Sequence, residues 1–270
     1  MNGYVKKKIV KFSDEIQQKT DDYVTEEEPM EIRISMDDKI YPVSVIMRTP
    51  INDFELAAGF LFDEGIIKQP DIIGIYNDPM APPSERKNII IVKVRDFKIE
   101  LLNQRNFYVN SSCGVCGKTN LNNVFVKNPV VIKNREKIDA EILTGLPDKM
   151  IKNQEIFGYT GGIHAAAIFD YSGELLCISE DIGRHNAVDK SIGKLLLKGV
   201  NRNEQAILQV SGRASFEIVQ KASMFGISII SSVSAPSSLA IELADIYNIT
   251  LASFLRKNSF NIYSNEYRIK

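Results

Sequence analysis

The stretch QAILQVSGRASFEIVQKASMFGISIISSVSAPSSLAIELADIYNITLASFL, residues 205–255, decides the fold. Gln205–Val210, Ile227–Val233 and Ile249–Leu255 read as short apolar strands. Arg213–Phe225 and Pro236–Tyr247 between them read as helices, the first followed at once by Gly226. Strand–helix alternation with short connections predicts a mostly parallel sheet covered by helices. Upstream, a helix is expected over Asp148–Phe157, with Pro147 placed at its start. A hairpin follows: Ile163–Phe169, a turn at Asp170-Tyr-Ser-Gly173, then Glu174–Ser179. Arg184–Lys198 reads as a helix ending at Gly199. Phe260–Tyr263 is a last short strand. Residues 136–270 are therefore expected to form a three-layer α/β/α domain.

The first half has another rhythm. Ile32, Ile34 and Met36, then Val43, Val45 and Met47, alternate around Asp37-Asp38-Lys39, which predicts a β-hairpin with Pro42 at an edge or bulge. Asn52 is placed to open a helix, with Glu55 completing a capping-box-like pair and Gly65 closing it. Ile72–Tyr76, Asn88–Arg95 and residues 98–110 read as strands. Residues 30–135 are thus expected to form a smaller α+β part. Residues 1–29 are polar and read as a poorly ordered or peripheral arm.

The 270 residues carry 33 Lys+Arg against 34 Asp+Glu, a formal net charge of −1. That balance excludes a polybasic nucleic-acid binder and a strongly acidic solvating chain. No stretch reaches the roughly 20 apolar residues that a bilayer span needs. The basic start lacks the apolar core and cleavage site of a signal peptide, so a cytoplasmic protein is expected. Three cysteines in a chain of this length speak against a disulfide framework.

Two of those cysteines share one loop, Asn110-Ser-Ser-Cys-Gly-Val-Cys-Gly-Lys118. Cys113 and Cys116 at this spacing suit half of a zinc site, a dithiol redox pair, or a nucleophilic thiol that carries sulfur. Zinc wants four ligands, or three and a water, and only Cys177, His164, His185 and carboxylates remain to complete the set. Gly114 and Gly117 argue for an accessible loop, and Lys118 favours the thiolate by charge proximity. Cys177, inside the apolar Leu175-Leu-Cys-Ile178, reads as a buried structural thiol.

The loop Ser111–Lys118 resembles the hallmark of the formate dehydrogenase accessory sulfurtransferase family, of the FdhD/NarQ type. Six further segments resemble that family in order: residues 49–67, Thr160–Ala166, Glu180–Lys190, Ser211–Glu217, Ser232–Ala240 and Phe260–Ser264. The resemblance implies a C-terminal domain like the cytidine deaminase fold. It implies that sulfur is accepted as a persulfide from a cysteine desulfurase, on Cys113 with Cys116 as its partner. The sulfur then passes to the molybdenum bis(molybdopterin guanine dinucleotide) cofactor destined for formate dehydrogenase. It further implies a homodimer, a pocket that a guanine nucleotide such as GDP can occupy, and cofactor binding at Phe260, Asn261, Ile262, Tyr263 and Ser264.

The residues fit such a ligand in several places. Ser211, Gly212 and Arg213 lie between a strand and a helix, where backbone N–H groups and an arginine suit phosphate. Ser232–Ser238 has the same context but is also a good helix cap. His164 and His185, the two histidines of the chain, lie in polar segments and could contact phosphate or base. Asp181 with Arg184 could form a structural ion pair. A zinc-dependent deaminase would need a His-x-Glu motif ahead of its cysteine pair; here Ala165 and Ala166 follow His164, and the cysteines come first. A chaperone that only holds the cofactor remains an alternative.

Overall fold

The computed structural model describes residues 2–97, 99, 102, 129–200 and 202–270. The chain opens with β1 (Tyr4–Ser13) and β2 (Ile16–Thr25), which pair only with each other, antiparallel. The polar arm expected at residues 1–29 is thus a β-hairpin. Nearly every side chain on both strands is exposed, so no apolar alternation betrays it. Its turn, Asp14 and Glu15, has φ of 50° and 65°, the two left-handed positions of a tight hairpin turn. Three tyrosines anchor its base: Tyr4 stacks on Tyr159 at 4.7 Å, and Tyr23 meets both edge-on.

β3 (Glu28–Met36) and β4 (Lys39–Arg48) form the expected second hairpin around Asp37 and Asp38, again both left-handed. Pro42 lies on edge strand β4 beside a register shift, as its missing N–H requires. α1 (Asp53–Asp63) follows. Asn52 precedes it with φ 53°, and its side chain makes no cap bond, so the expected capping box does not form. The left-handed backbone carries the side chain out of the geometry that a cap needs. Gly65, φ 69°, closes the helix as expected. β5 (Ile72–Asn77) and β6 (Ile89–Val94) complete a four-stranded sheet in the order β4-β3-β6-β5. Of the strand expected over 98–110, only Ile99 and Leu102 are described, both helical. The loop with Cys113 and Cys116 lies outside the described residues.

α2 (Ala140–Lys152) starts well before Pro147, which sits inside the helix rather than at its head. The ring removes one hydrogen-bond donor from the turn, a loss the packing of Leu143, Leu146 and Met150 outweighs. α3 (Glu155–Thr160) is capped by Glu180, whose carboxylate accepts from Ile156 and Phe157 N–H at 2.9 Å each. Then come β7 (His164–Asp170), β8 (Leu175–Asp181), α4 (Arg184–Leu197), β9 (Ala206–Val210), α5 (Phe216–Phe225), β10 (Ile229–Ser232), α6 (Ser238–Ile246), β11 (Thr250–Arg256) and β12 (Ser259–Ser264).

The six strands order as β12-β11-β10-β9-β7-β8. Only β9, β10 and β11 pair with one another in parallel; the other three pairings, β8 with β7, β7 with β9 and β11 with β12, are antiparallel. The sheet is therefore mixed, not mostly parallel, because tight turns join β7 to β8 and β11 to β12 and force antiparallel pairs. Side chains alternate across it: Ala165, Ala167, Phe169 and Ile207 pack on α2, while Ala166, Ile168 and Leu208 face α4, α5 and α6. That α/β/α arrangement is the fold class expected. The second core continues through α1 to Met30, Ile32, Ile34 and Ile90 of the four-stranded sheet.

α1 and α4 cross with their backbones in contact. A methyl group on Gly59 would overlap the Asp189 carbonyl, and one on Gly193 would overlap the Glu55 carbonyl. A buried ion pair stitches the same junction. Lys190 Nζ lies 2.6 Å from Asp181, and both side chains are fully buried. Asp181 also accepts from Thr49 N, Gly183 N and Asn186 Nδ2, while Lys190 donates to Thr49 O. Lys190, not Arg184, is the partner of Asp181. With every donor used, the pair is satisfied; removing one partner of such a pair costs about 3–5 kcal/mol.

Gly193→Ala is expected to destabilise the protein by about 2–3 kcal/mol, since the overlap is with backbone on both sides. Thermal unfolding should show a Tm lower by roughly 4–10 °C. Gly145→Ala in α2, where a Cβ meets nothing, serves as the control and should leave Tm level or raised. Equal effects of the two changes would contradict the crossing.

Candidate functional site

The carboxyl ends of β8, β9, β10 and β11 lie along one edge of the six-stranded sheet, with the start of antiparallel β7 among them. Four of the residues that the sequence singles out meet there. His164 opens β7, and its Nδ1 lies 3.5 Å from Ser211 Oγ just past β9. Ser211 Oγ accepts from Ala165 N at 2.9 Å. Gly212 passes so close to His164 that a Cβ would stand 3.3 Å from the imidazole ring and 3.7 Å from Arg184 Cδ. His185, in the first turn of α4, is buried, with Nε2 2.8 Å from Glu217 Oε2 and 3.1 Å from Ser215 Oγ. Ser215 precedes α5 but makes no cap bond, because its hydroxyl goes to His185 instead.

Three loops lie side by side at this edge. Ser232 Oγ reaches Gly212 O at 2.7 Å, Ala214 N donates to Ala235 O, and Phe254 N donates to Ser234 O. Arg256 Nη1 holds Val233 O at 2.8 Å. Ser237 caps α6 by accepting from Ala240 N, the capping expected of its segment. Phe254 has φ 57° at a bulge in β11, a left-handed conformation costly for a bulky side chain. Arg213 is exposed beside these loops. The remaining candidates spread along edge strand β12. Phe260, near the loops, packs on the α2 side of the sheet, and Asn261 and Ile262 are exposed. Tyr263 packs on the larger core, and Ser264 Oγ donates to Ile249 O at the opposite end of β11. The structure therefore joins His164, His185, Ser211 and Gly212, and does not bring Ser264 to them.

Charge at the site is arranged by burial. Desolvation, then Arg184 and His185, push the His164 pKa down, so its imidazole is neutral near pH 7. Arg184 Nε is buried with no hydrogen-bond partner among the described residues. An orphaned cationic donor beside a neutral imidazole and close-packed backbone suits an anionic group. Arg184, Ser215, Glu217, Phe254 and Arg256 join the site only in the folded chain. In the sequence, only the position of Arg184 beside His185, and of Glu217 just after Ser215, offers a signal. One turn deeper, Lys221 binds Asp189 at 2.6 Å, with Glu64 at 3.9 Å. Asp63 joins them, its carboxyl pushed far up by burial and by the Asp189 charge. Cys177 is buried, donates to Ser191 O, and has its thiol pushed up to about 11 by desolvation, which fits the structural role expected of it. Among the described residues no group of three or more His, Cys, Asp or Glu could hold a metal, and no helix is long and apolar enough to cross a membrane.

The Asp63 pKa is raised on folding, so its contribution to stability is full below about pH 4 and is lost as pH rises through the folded value. Asp63→Asn keeps the uncharged form at every pH. Urea unfolding at several pH values should show wild-type stability falling, as pH rises above about 4, more steeply than that of the variant. Parallel profiles would contradict the assignment.

The FdhD/NarQ family model matches residues 25–270. The chain is 60% identical over 248 residues to a sulfur carrier protein FdhD of Picrophilus torridus, covering 92% of each chain. It is 43% identical to a sulfur carrier protein FdhD of Sulfurisphaera tokodaii, over 97% of each. The crystal structure of a putative formate dehydrogenase accessory protein from Desulfotalea psychrophila superposes with a TM-score of 0.74 at 25% identity, over 99% of both chains. With a family model spanning residues 25–270, relatives at 60% and 43% identity and a solved structure matching the whole chain, the chain belongs to the FdhD/NarQ family.

Proposed function

We propose that this protein is a sulfur carrier that serves formate dehydrogenase. The observation that carries the reading is the pair Cys113 and Cys116, two of three thiols in one glycine-bracketed loop, in a chain 60% identical to a protein named a sulfur carrier. Cys113, as thiolate, attacks the terminal sulfur of a persulfide on a cysteine desulfurase. The new S–S bond forms on Cys113 as the donor S–S bond breaks, and the desulfurase thiolate leaves and takes up a proton. Cys116 is the partner thiol of the pair.

The acceptor, and so the second substrate, is the molybdenum bis(molybdopterin guanine dinucleotide) cofactor. Its phosphates and guanine nucleotide are polyanionic. The strand-end edge with Ser211, Gly212, Arg184 and exposed Arg213 supports binding of such a group, with GDP as a minimal probe. A neutral His164 can donate or accept one hydrogen bond there without adding charge. The overall charge of −1 supplies no attraction, so local donors must do so.

Incubation with a cysteine desulfurase and cysteine, followed by non-reducing mass spectrometry, should show one reductant-labile sulfur on the Cys113 peptide. Cys113→Ala should lose that adduct and fail to restore formate dehydrogenase activity in cells lacking the protein. Absence of the adduct while the desulfurase turns over would overturn the carrier reading. Full restoration by Cys113→Ala would point instead to a holding chaperone.

A further inference from the structure

β8 is an edge strand of the six-stranded sheet, paired on its inner side with β7. Ser211 N donates to Ala165 O, so Ala165 turns its backbone groups toward β9. Its neighbour Ala166 then turns toward β8, where it meets Ser179. Bonded and non-bonded pairs alternate along an antiparallel ladder. Ile178 and Glu180 therefore point their N–H and C=O groups out of the sheet. Two lysines of α4 bear this out: Lys194 Nζ donates to Ile178 O at 2.6 Å, and Lys190 Nζ to Glu180 O at 3.3 Å. Those bonds leave the edge one-sided. An added strand would need the two outward carbonyls as acceptors, and they are spent. The outward N–H groups find no acceptor among the described residues.

A cavity of about 350 Å³ opens beside them, between the starts of α1 and α3 and the edge of β8. Ser179 and Lys194 both line it. Ser179 is 3% exposed, yet its Oγ has no hydrogen-bond partner among the described residues. A buried hydroxyl left unpaired is costly, and a ligand oxygen would satisfy it. Burial pushes the Lys194 pKa down, a cost that a bound anion offsets. The carboxylate of Glu180 does not compete for these donors, because Ile156 and Phe157 N–H hold it.

We propose that this cavity binds the carboxylate or phosphate of a small metabolite through Ile178 N–H, Ser179 Oγ and Lys194 Nζ. An oxyanion accepts hydrogen bonds and donates none, which is what a surface of donors selects. Glu180 N–H, about 7 Å along the strand, takes a second acceptor of the same ligand. The volume lies at the lower end of small-molecule pockets, so the ligand is of amino-acid or sugar-phosphate size. Exposed Glu155, with Asn52 and Asn153, lines the rim and suits an ammonium or hydroxyls at the ligand's other end. Ser211, Gly212 and Arg184 are not among the residues lining the cavity, so the site stands apart from the strand-end edge and from the nucleotide binding proposed there.

The test titrates the full 15N-labelled chain with sodium acetate, with sodium phosphate and, at matched ionic strength, with sodium chloride, following backbone amides by NMR. At least one oxyanion should shift the Ile178 amide saturably, and chloride should not. Tighter saturation by acetate marks a carboxylate ligand, and by phosphate a phosphoryl one. Lys194→Gln and Ser179→Ala should each weaken that binding by roughly tenfold or more. Ser179→Ala removes a hydroxyl with no protein partner, so its Tm should stay level, which keeps the test sound even where Lys194→Gln disturbs α4. Arg184→Gln should leave the binding unchanged, whatever it does to GDP. No saturable shift with either oxyanion, an equal response to chloride, affinity that Ser179→Ala leaves intact, or loss with Arg184→Gln would each overturn the proposal.

Discussion

Two helices touch backbone to backbone where Gly59 of α1 meets Asp189 and Gly193 of α4 meets Glu55. The rest of the structure depends on that approach. α1 carries the inner face of the four-stranded sheet, and α4 lies on the six-stranded sheet. At ordinary helix spacing of about 8–10 Å the side chains between them would set the geometry. Here the glycines remove the side chains and the peptide groups set it. The two halves are thereby locked into one hydrophobic core that runs from Met30 to Leu251.

The crossing also fixes where chemistry can occur. α4 is buried along almost its whole length, so its polar residues must all find partners. Asn186 takes Met47 O and Asp181, Lys190 takes Asp181 and Thr49 O, and Asp189 takes Lys221. Only the first turn, Arg184 and His185, opens toward the strand-end edge. His185 is held there by Glu217 and Ser215, and Arg184 brings beside Gly212 and His164 an Nε–H that has no partner among the described residues. A cluster of donors can thus gather at one edge of a chain with almost no net charge.

Much of this is legible in the sequence, for identifiable reasons. Gly65, Gly199 and Gly226 mark helix ends that the structure confirms with left-handed φ values, because only glycine takes them without strain. β9 and β10 are buried on both faces, β11 nearly so, and all three read as plain apolar runs. His164, Ser211 and Gly212 stand out because they sit at strand ends. The N-terminal strands do not, because both their faces meet water. The start of α2 is hidden because Pro147 is a weaker constraint than the packing of Leu143 and Leu146. Glu217 and Arg184 acquire meaning only from neighbours distant in the chain. The roles of Gly59 and Gly193 are invisible without the partner helix.

Passage of sulfur through this chain to a molybdenum cofactor is tested most directly by a radiolabel chase. The protein is charged with 35S from labelled cysteine and a desulfurase, freed of small molecules, and mixed with unlabelled bis(molybdopterin guanine dinucleotide) cofactor. Label should leave the protein and appear with the cofactor, in an amount matching the persulfide lost. Label that stays on the protein, or leaves only as free sulfide at the same rate without cofactor, would contradict a carrier role.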